Sequence, residues 1–524
     1  MNASPTQRAG FPWRRLVAAA VIAGLIGMFW PRLPEYPGAA RSDALPAETA
    51  RETRLGRSLG EQISDHPGKS GVHPLYDPLD AFAARYLLTQ AAERTLDIQY
   101  YIWGDDLTGT LMLHALLEAA DRGVRVRLLL DDNGIEGLDN KLVVLAGHQN
   151  IEVRLFNPFA LRWPRWVNYL TDFRRVNRRM HNKSFTADNR ATIVGGRNIA
   201  DEYFAAGTGL LFADVDVLTV GQVVGDVSED FDRYWNSESA WPIESLVALP
   251  EDNPGRRLRR EAAELKDDKR AIAYLDNFEN SAFVDQFLDG RLAMLWGRAK
   301  LVSDDPHKIL DKPGPRGPLS EQLQETIGLP GKRIYVVSPY FVPTRNGAKL
   351  FTELAESGVE VTVLTNSLEA TDVAAVHSGY SRFRKRLLKA GVKLYEMQRL
   401  SGQERMRGKG PLGSSGSSLH AKTFAVDGER VFVGSFNFDP RSARLNTEMG
   451  LLIDNAELAE QMAVTFAEEV PQRAYSVHLD GHGGLYWIER TDSGALRHEH
   501  EPHTSVLKRM GVAVLARLPI LWLL

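Results

Sequence analysis

Hydrophobic and polar positions recur in two similar series along the chain, each with a β-rich run, a helical pattern and a second β-rich run. The first series comprises residues 95–103, a helical pattern ending at Gly123, and residues 124–130; the second comprises residues 334–337, 349–356 and 359–364. Each helical pattern stops at a glycine, the residue that most often terminates a helix. The pattern predicts a β–α–β unit with parallel strands and a right-handed crossover, present twice.

The repeat divides the chain into segments with different predicted roles. They are residues 1–35 (membrane anchor or signal segment), 36–74 (linker), 75–250 (first domain), 251–318 (connecting and covering helices), 319–475 (second domain) and 476–524 (C-terminal extension with an interfacial apolar end). Residues 401–418 are rich in Gly and Ser, which predicts a flexible loop within the second domain.

Residues 16–30 carry no charge and follow Arg14 and Arg15. Their length suits an uncleaved anchor or the apolar core of a cleaved signal, and a buried soluble helix is a third reading. Arginines before the segment favour a cytoplasmic N-terminus, which would put the body on the outer face of the membrane. Residues 506–524 are also apolar with interspersed basic residues, and either lie in the headgroup plane or pack on the body.

The composition limits the kinds of chemistry that the chain can perform. The 524 residues include 63 Lys or Arg and 67 Asp or Glu, so the formal charge of −4 argues against a broadly basic nucleic-acid coat. There is no cysteine, which excludes disulfides, thiolate metal sites and a cysteine nucleophile. Any covalent chemistry must come from other side chains.

Two blocks with the same spacing carry that chemistry. The first block has His181, Lys183 and Asp188, then Gly195 and Asn198; the second has His420, Lys422 and Asp427, then Gly434, Ser435 and Asn437. Residues two apart on a strand face the same side, so each histidine shares a face with its lysine. Each aspartate falls at a turn into the next strand, whose return is expected to bring the asparagine beside the histidine and lysine.

Together these residue types predict a phosphate site without a metal. Lysine supplies positive charge, asparagine supplies amide donors, and imidazole supplies a nucleophile or a proton carrier. The alternative is a buried histidine and a solvated lysine that merely pack in a strand pair, and two matching blocks argue against it.

The chain resembles the phospholipase D superfamily over roughly residues 75–475, and more closely its bacterial cardiolipin synthase branch of type C. The narrower resemblance rests on residues 178–183 (RRMHNK), 195–199 (GGRNI) with 202–204 (EYF), Trp296 with 304–306 (DDP), and 365–380. It implies an α/β fold of two tandem phospholipase D-like α/β/α domains with mostly parallel sheets, related by a pseudo-twofold axis with the active site between them.

The resemblance also implies a mechanism without cofactors. One histidine attacks the phosphorus of a phospholipid, and the other protonates the leaving alcohol and then deprotonates the incoming hydroxyl. By the usual order His181 is the nucleophile and His420 the acid and base. Lys183, Lys422, Asn198 and Asn437 would hold the nonbridging oxygens, and Ser435 would support them, while Asp188 and Asp427 hold the turns beneath the site.

A catalytic imidazole usually needs a carboxylate to fix its tautomer. Glu448 is the candidate in the second half, and Asp214 or Asp216 occupies the comparable place in the first. The alternative is that these acids sit in solvent at strand edges.

The expected function is transfer of a phosphatidyl group to phosphatidylglycerol, with phosphatidylglycerol or phosphatidylethanolamine as donor, at the bacterial inner membrane and on its periplasmic face. Residues 159–179 mix aromatic side chains with arginines, which suits contact with anionic headgroups; an amphipathic helix packed on the core is the alternative. A phospholipase D that forms phosphatidic acid shares every proposed catalytic residue. A nuclease of the same superfamily and a non-catalytic lipid-binding scaffold fit less well, and no nucleic-acid partner is expected.

Overall fold

The computed structural model describes residues 31–206, 213–249, 254–279, 281–371, 373–399, 419–491, 493–519, 521 and 524. The predicted membrane segment at residues 16–30 and the predicted loop at residues 401–418 lie outside these ranges. Among the described residues, no helix has both the length and the apolar character needed to cross a bilayer.

Two similar sets of strands form the sheets. The first half contains β1 Ser70–Leu75, β2 Thr95–Ile102, β3 Arg125–Gly134, β4 Ile151–Phe156, β5 Ser184–Ala187, β6 Ala191–Gly195, β7 Asp216–Gly221 and β8 Ala240–Pro242. The remaining strands are β9 Leu295–Ser303, β10 Arg333–Val337, β11 Glu360–Asn366, β12 Lys393–Met397, β13 Thr423–Val426, β14 Arg430–Gly434, β15 Met449–Asp454, β16 Ala474–Leu479, β17 Leu485–Thr491 and β18 Gly494–His498.

The strand order repeats the same unit twice. In the first half it runs β8-β4-β3-β2-β5-β6-β7-β1, and in the second β16-β12-β11-β10-β13-β14-β15, with β17 and β18 added beyond β16. The predicted α/β fold with a duplicated unit is therefore confirmed.

The expectation of mostly parallel sheets is wrong outside the centre of each half. Parallel pairing joins β2 to β3 and β3 to β4, and likewise β10 to β11 and β11 to β12. The pairings that flank these strands are antiparallel, as in β5 with β6 and β13 with β14. A turn as short as the one at Asp188 can connect only antiparallel neighbours, whereas a parallel pair needs a long crossover.

Strand β9 joins the two halves. Its first residues pair with β1, as Gly71 with Trp296, and its later residues pair with β15, as Met449 with Ser303. This strand lies within residues 251–318, where the sequence predicted connecting and covering helices.

Helices cover the sheets. In the first half they are α1 Ala47–Arg51, α2 Arg54–Ser64, α3 Pro78–Ala91, α4 Leu107–Asp121, α5 Asp139–Ala146, α6 Val167–Thr171, α7 Phe173–Val176, α8 Asp201–Phe204 and α9 Val223–Trp235. The connecting segment and second half contain α10 Pro254–Asp267, α11 Lys269–Glu279, α12 Ala282–Leu288, α13 Leu319–Ile327, α14 Thr344–Glu356, α15 Ala374–Ser381, α16 Arg384–Lys389, α17 Pro440–Arg444, α18 Ala456–Val464, α19 Val470–Arg473 and α20 Val506–Leu515. Short 3-10 helices span Ile243–Ser245 and Pro306–Leu310, and a π-helical turn spans Thr465–Glu469.

Each half has its own apolar core between sheet and helices. Phe82 of α3 and Met112 of α4 are buried against the first sheet, and Phe351 of α14 against the second. Gly123 and Gly358 follow α4 and α14 with φ near 96° and 94°, which confirms the predicted glycine ends of both helices.

The two ends of the described chain pack on this body. Arg154 donates to Ala40 O and Arg127 to Ser42 O, so the predicted linker lies against the first half. In α20, Val512 is buried while Leu507 and Met510 are exposed. The helix thus packs one face on the body, and contact of its other face with headgroups stays a prediction.

Candidate active site

The two histidines lie where the halves of the chain meet. Just before His181, Met180 forms a β-bridge with Thr447, and the His181 N–H donates to Thr447 O at 2.9 Å. Just before His420, Leu419 forms the equivalent bridge with Ala213, and the His420 N–H donates to Ala213 O at 2.9 Å. Each half therefore donates one such backbone hydrogen bond to the other half.

These bridges bring each histidine to a carboxylate of the opposite half. His181 Nδ1 lies 2.7 Å from Glu448 Oε2, and His420 Nδ1 lies 2.6 Å from Asp214 Oδ2. A carboxylate on Nδ1 fixes the tautomer and leaves Nε2 with a lone pair. The sequence identified Glu448 and Asp214 as candidates, and the structure shows that the pairs are exchanged between the halves.

Asp216, the other candidate in the first half, has a different environment. Its Oδ2 accepts from Arg85 at 2.8 Å, and its Oδ1 accepts from the Arg197 N–H at 3.1 Å. Both Asp216 and Arg85 are buried. Asp216 therefore belongs to a buried ion pair beneath the site and does not contact either histidine in the described hydrogen-bond network.

Ser435 and a backbone contact hold Glu448 in place. Ser435 Oγ donates to Glu448 Oε2 at 2.5 Å, and the Glu448 N–H donates to Asp304 Oδ2 at 3.0 Å. Ser435 thus supports the carboxylate of the pair. A phosphate contact for Ser435 stays a prediction.

The two lysines favour the binding of an anion at this site. Lys183 Nζ donates to His181 O at 2.6 Å, and Lys422 Nζ donates to His420 O at 2.5 Å. Burial and the charge of Lys422 lower the pKa of Lys183 to about 7, and burial lowers the pKa of Lys422 to about 8. The ammonium forms of both lysines are stabilised when a negatively charged phosphate lies beside them.

The surroundings of both imidazoles favour their neutral forms. Burial, and then Lys183 and Lys422, holds the pKa of His181 well below its usual value, and burial followed by Lys422 lowers the pKa of His420 to about 3. Burial raises the pKa of Glu448 to about 7, with Lys183 opposing this. Neutral imidazole is the form that a nucleophile needs.

The two asparagines differ in their surroundings. Asn198 Oδ1 accepts from the Ile102 N–H at 3.1 Å, and its Nδ2 donates to Tyr203 Oη at 2.9 Å. Asn437 is buried, and its Oδ1 has no hydrogen-bond partner among the described residues. Asn198 therefore has a clear structural role, and phosphate binding by either amide stays a prediction.

The two aspartates of the blocks hold turns. Asp188 accepts from the backbone N–H groups of residues 93, 94 and 95, and Asp427 accepts from those of residues 331, 332 and 333. Both residues have positive φ, 51° and 57°. This geometry agrees with a role beneath the site and gives neither carboxylate a contact with an imidazole.

Two tyrosines that the sequence did not single out as site residues flank the histidines. The Tyr101 ring lies edge-on to His181 with centroids 5.1 Å apart, and the Tyr203 ring lies edge-on to His420 at 5.2 Å. Both come from the first half. A periodicity argument treats such aromatic residues as core. Tyr203 belongs to the EYF motif that supports the resemblance, but nothing in the sequence placed either ring beside a histidine.

The chain has relatives over nearly its whole length. The family profile described as "Cardiolipin synthase, PLD-like domain" matches residues 87–235 and 323–470. Cardiolipin synthase C of Escherichia coli is 48% identical over 90% of this chain and 100% of that protein. Cardiolipin synthase A of Pseudomonas syringae is 24% identical over 82% of this chain and 74% of that protein. The crystal structure of phosphatidylserine synthase of Haemophilus influenzae covers 90% of this chain and 100% of its own, with a TM-score of 0.55 and 12% identity, which shows a shared fold.

Proposed function

Because this chain belongs to the cardiolipin synthase family with phospholipase D-like domains, we propose that it is a phosphatidyltransferase. Its substrates are phospholipids. The acceptor in this proposal is phosphatidylglycerol and the product is cardiolipin, with glycerol or ethanolamine released from a phosphatidylglycerol or phosphatidylethanolamine donor. The observation that carries the proposal is the exchanged pairing of His181 with Glu448 and of His420 with Asp214 around two buried lysines.

In the first step, Nε2 of His181 forms a bond to phosphorus as the bond from phosphorus to the leaving alcohol breaks. Glu448 accepts the Nδ1 proton of His181 in a hydrogen bond, which stabilises the positive charge that develops on the ring. His420 gives a proton to the leaving oxygen. The positive charges of Lys183 and Lys422 lower the pKa of His420, and the negative charge of a bound phosphodiester opposes this effect. Substrate binding therefore raises the pKa of His420 and favours its protonated form, which acts as the acid.

In the second step, the hydroxyl of the acceptor gives its proton back to His420 as its oxygen bonds to phosphorus. The bond between phosphorus and His181 breaks, which restores the neutral imidazole. Lys183 and Lys422 stabilise the nonbridging oxygens in both steps. Water in place of the lipid hydroxyl would give phosphatidic acid, so the balance depends on excluding water.

An exposed apolar surface supports a membrane-facing entrance. We define the aromatic patch as Trp163, Trp166, Leu170 and Phe173, whose exposed fractions are 84%, 59%, 72% and 41%. An amphipathic helix packed on the core would bury these side chains. Exposed tryptophans of this kind suit the interface of a bilayer.

A chain of side-chain contacts connects this patch with His181. Tyr169, beside the patch, donates to Asn133 Oδ1 at 2.7 Å, and Asn133 Nδ2 donates to Tyr101 Oη at 3.2 Å. The Tyr101 ring then contacts His181. We therefore place the lipid entrance beside the aromatic patch.

Three arginines of this segment are less available to lipid headgroups than the sequence suggested. Arg162 and Arg165 form ion pairs with Asp132 and Asp139, and Arg175 pairs with Asp172. These guanidinium groups are already partnered. Apolar insertion therefore carries more of the proposed membrane contact than attraction to anionic headgroups.

The proposed location is the bacterial inner membrane, with the N-terminal segment as anchor and the catalytic body on the periplasmic face. This rests on the charge pattern around residues 16–30 and on the aromatic patch.

Lipid analysis tests the proposal directly. In a bacterial strain that lacks cardiolipin, the intact protein should restore cardiolipin and a His181→Ala variant should not. Accumulation of phosphatidic acid alone would replace the synthase by a hydrolase, and cardiolipin made by the His181→Ala variant would refute the site.

A further inference from the structure

A cavity of about 720 Å³ lies between the second sheet and the layer formed by α18, the π-helical turn Thr465–Glu469 and α19. Leu419 and Ala421, the chain neighbours of the second histidine, line it. Its size falls within the range of about 300 to 1,000 Å³ typical of small-molecule pockets. Residues of the first half close one side, including Pro74 and Val217. The cavity therefore lies where the two halves meet.

The walls are largely apolar. They include Val337, Leu364, Met397, Val431, Phe466 and Val470, while the charged residues Glu457, Glu460, Glu469 and Arg473 are exposed at the periphery. A hydrocarbon chain is the ligand that such walls favour, since burial of each methylene group improves affinity about fourfold.

The duplication of the chain provides an internal comparison. In the matched strand pairs of the two halves, Val337 and Val431 occupy the positions held in the first half by Gln99 and Thr192. By the common spacing of the two blocks, Ala421 corresponds to Asn182. The first half fills this face with polar groups, as in the Thr186–Thr192 hydrogen bond and the buried Arg127–Asp97 ion pair. In the described parts of the two halves, the second half has an apolar sheet face that borders the cavity.

Two features connect the cavity with the proposed chemistry. Asp214, which holds His420 through Nδ1, forms part of the cavity wall. The covering layer contains a π-helical turn, an arrangement that is rare and frequent at functional sites. A ligand whose phosphate lies between the histidines could therefore extend an attached chain into the cavity.

We propose that this cavity binds one acyl chain of a phospholipid while its phosphate reacts between His181 and His420. The inference rests on the proposed function and adds a chain-binding site on the second half. It explains why apolar residues replace polar ones at matched positions of the repeat. It also predicts selectivity for chain length.

Photo-cross-linking locates the chain. The full-length protein is mixed with vesicles of phosphatidylglycerol that carries a diazirine at the end of one acyl chain, and labelled peptides are mapped after irradiation. We expect label on cavity residues such as Met397, Met462 and Phe466. Label confined to the aromatic patch or to α20 would overturn the inference.

Substitutions give a second, kinetic test. Val464 lines the cavity and is 44% exposed, so Val464→Phe should narrow it without disturbing the core; Leu350→Phe, at 43% exposure on α14, is the matched control. Val431→Phe fills the cavity from the sheet side. Preference for long over short acyl chains in kcat/KM should fall at least about fivefold in both cavity variants, which is little more than the contribution of one buried methylene group, and stay unchanged in the control.

The outcomes separate this inference from the proposed function. If the intact protein transfers phosphatidyl groups but both cavity variants keep its chain-length preference, the inference is wrong and the function stands. If phospholipids of every chain length fail to react, the proposed function is wrong, and cross-linking still decides whether the cavity takes a chain.

Discussion

His181 Nδ1 lies 2.7 Å from Glu448 Oε2, although the two residues are 267 positions apart in the chain. His420 and Asp214 repeat this relationship in the opposite direction at 2.6 Å. Each half therefore supplies the histidine of one pair and the acid of the other. Neither half alone contains a histidine with its observed carboxylate partner.

The two histidines should differ in covalent labelling. His420→Ala removes the proton donor and acceptor, which typically contributes about 10²–10⁴-fold to rate, yet leaves the proposed nucleophile in place. With a phospholipid labelled in its phosphatidyl group, we expect that variant to take up label slowly, and at His181. The His181→Ala variant should take up no label. Labelling of His420 in the His181→Ala variant would reverse the two roles.

Substitution of Asp214 should mainly affect activity, and substitution of Asp216 should mainly affect stability. Asp214→Asn disturbs the tautomer of His420 and should lower kcat by about 10²–10⁴-fold with little effect on folding. Asp216→Asn leaves Arg85 buried without its charged partner and should lower the free energy of unfolding by about 3–5 kcal/mol. Urea unfolding and lipid assays on the folded fraction measure the two effects. Equal loss of activity in both folded variants would contradict the distinction.

The pH profile should follow the buried lysines. The pKa of Lys183 is about 7 and that of Lys422 about 8, and each ammonium is present below its pKa and lost above it. The kcat/KM of the enzyme should therefore fall as the pH rises through these two pKa values. A bound phosphodiester raises both pKa values, so the fall in kcat should appear at higher pH. Identical profiles for kcat and kcat/KM would argue against phosphate between the lysines.

The turn at Asp427 should contribute to stability. Asp427→Ala removes an acceptor for three backbone N–H groups and should lower the free energy of unfolding by about 1–3 kcal/mol. Asp427→Asn keeps one acceptor oxygen and tolerates the φ of 57°, so its loss should be smaller. Chemical unfolding of both variants measures the difference. A loss of activity without a loss of stability would instead indicate a direct part in catalysis.

The aromatic patch should govern membrane binding. Replacing both Trp163 and Trp166 by Ala removes exposed apolar surface and should reduce vesicle binding about tenfold or more. Activity on short-chain lipids dispersed in detergent should change little. Leu350→Ala, at a half-exposed site on α14, is the control for cosedimentation with vesicles. Unchanged binding of the double variant would place the membrane contact elsewhere.

Local features of this protein were accessible from sequence. The identical spacing of His181, Lys183 and Asp188 with His420, Lys422 and Asp427 depends on strand period and turn chemistry, which act over a few residues. The glycines that end α4 and α14 are also local signals, because they depend on backbone conformation at a single residue. Such signals predicted the duplicated α/β unit.

The exchanged carboxylates were not accessible in this way. Their assignment depends on the Met180–Thr447 and Ala213–Leu419 bridges, which form only when the two halves pack together. Val337 in the second half and Gln99 in the first occupy equivalent positions on the same face of the sheet. This equivalence is visible only from the strand register. Long-range pairing, rather than local propensity, determines both features.

Strand β9 has a consequence for biosynthesis. It pairs with β1 and β15, and just beyond its last residue the Asp304 N–H donates to Glu448 O at 2.9 Å. At about 5–20 residues per second, the ribosome reaches Glu448 roughly tens of seconds after His181. The nascent first half thus emerges with a histidine whose carboxylate has not yet been made. The proposed His181–Glu448 pair can therefore form only after synthesis has passed Glu448 and the two halves have packed together.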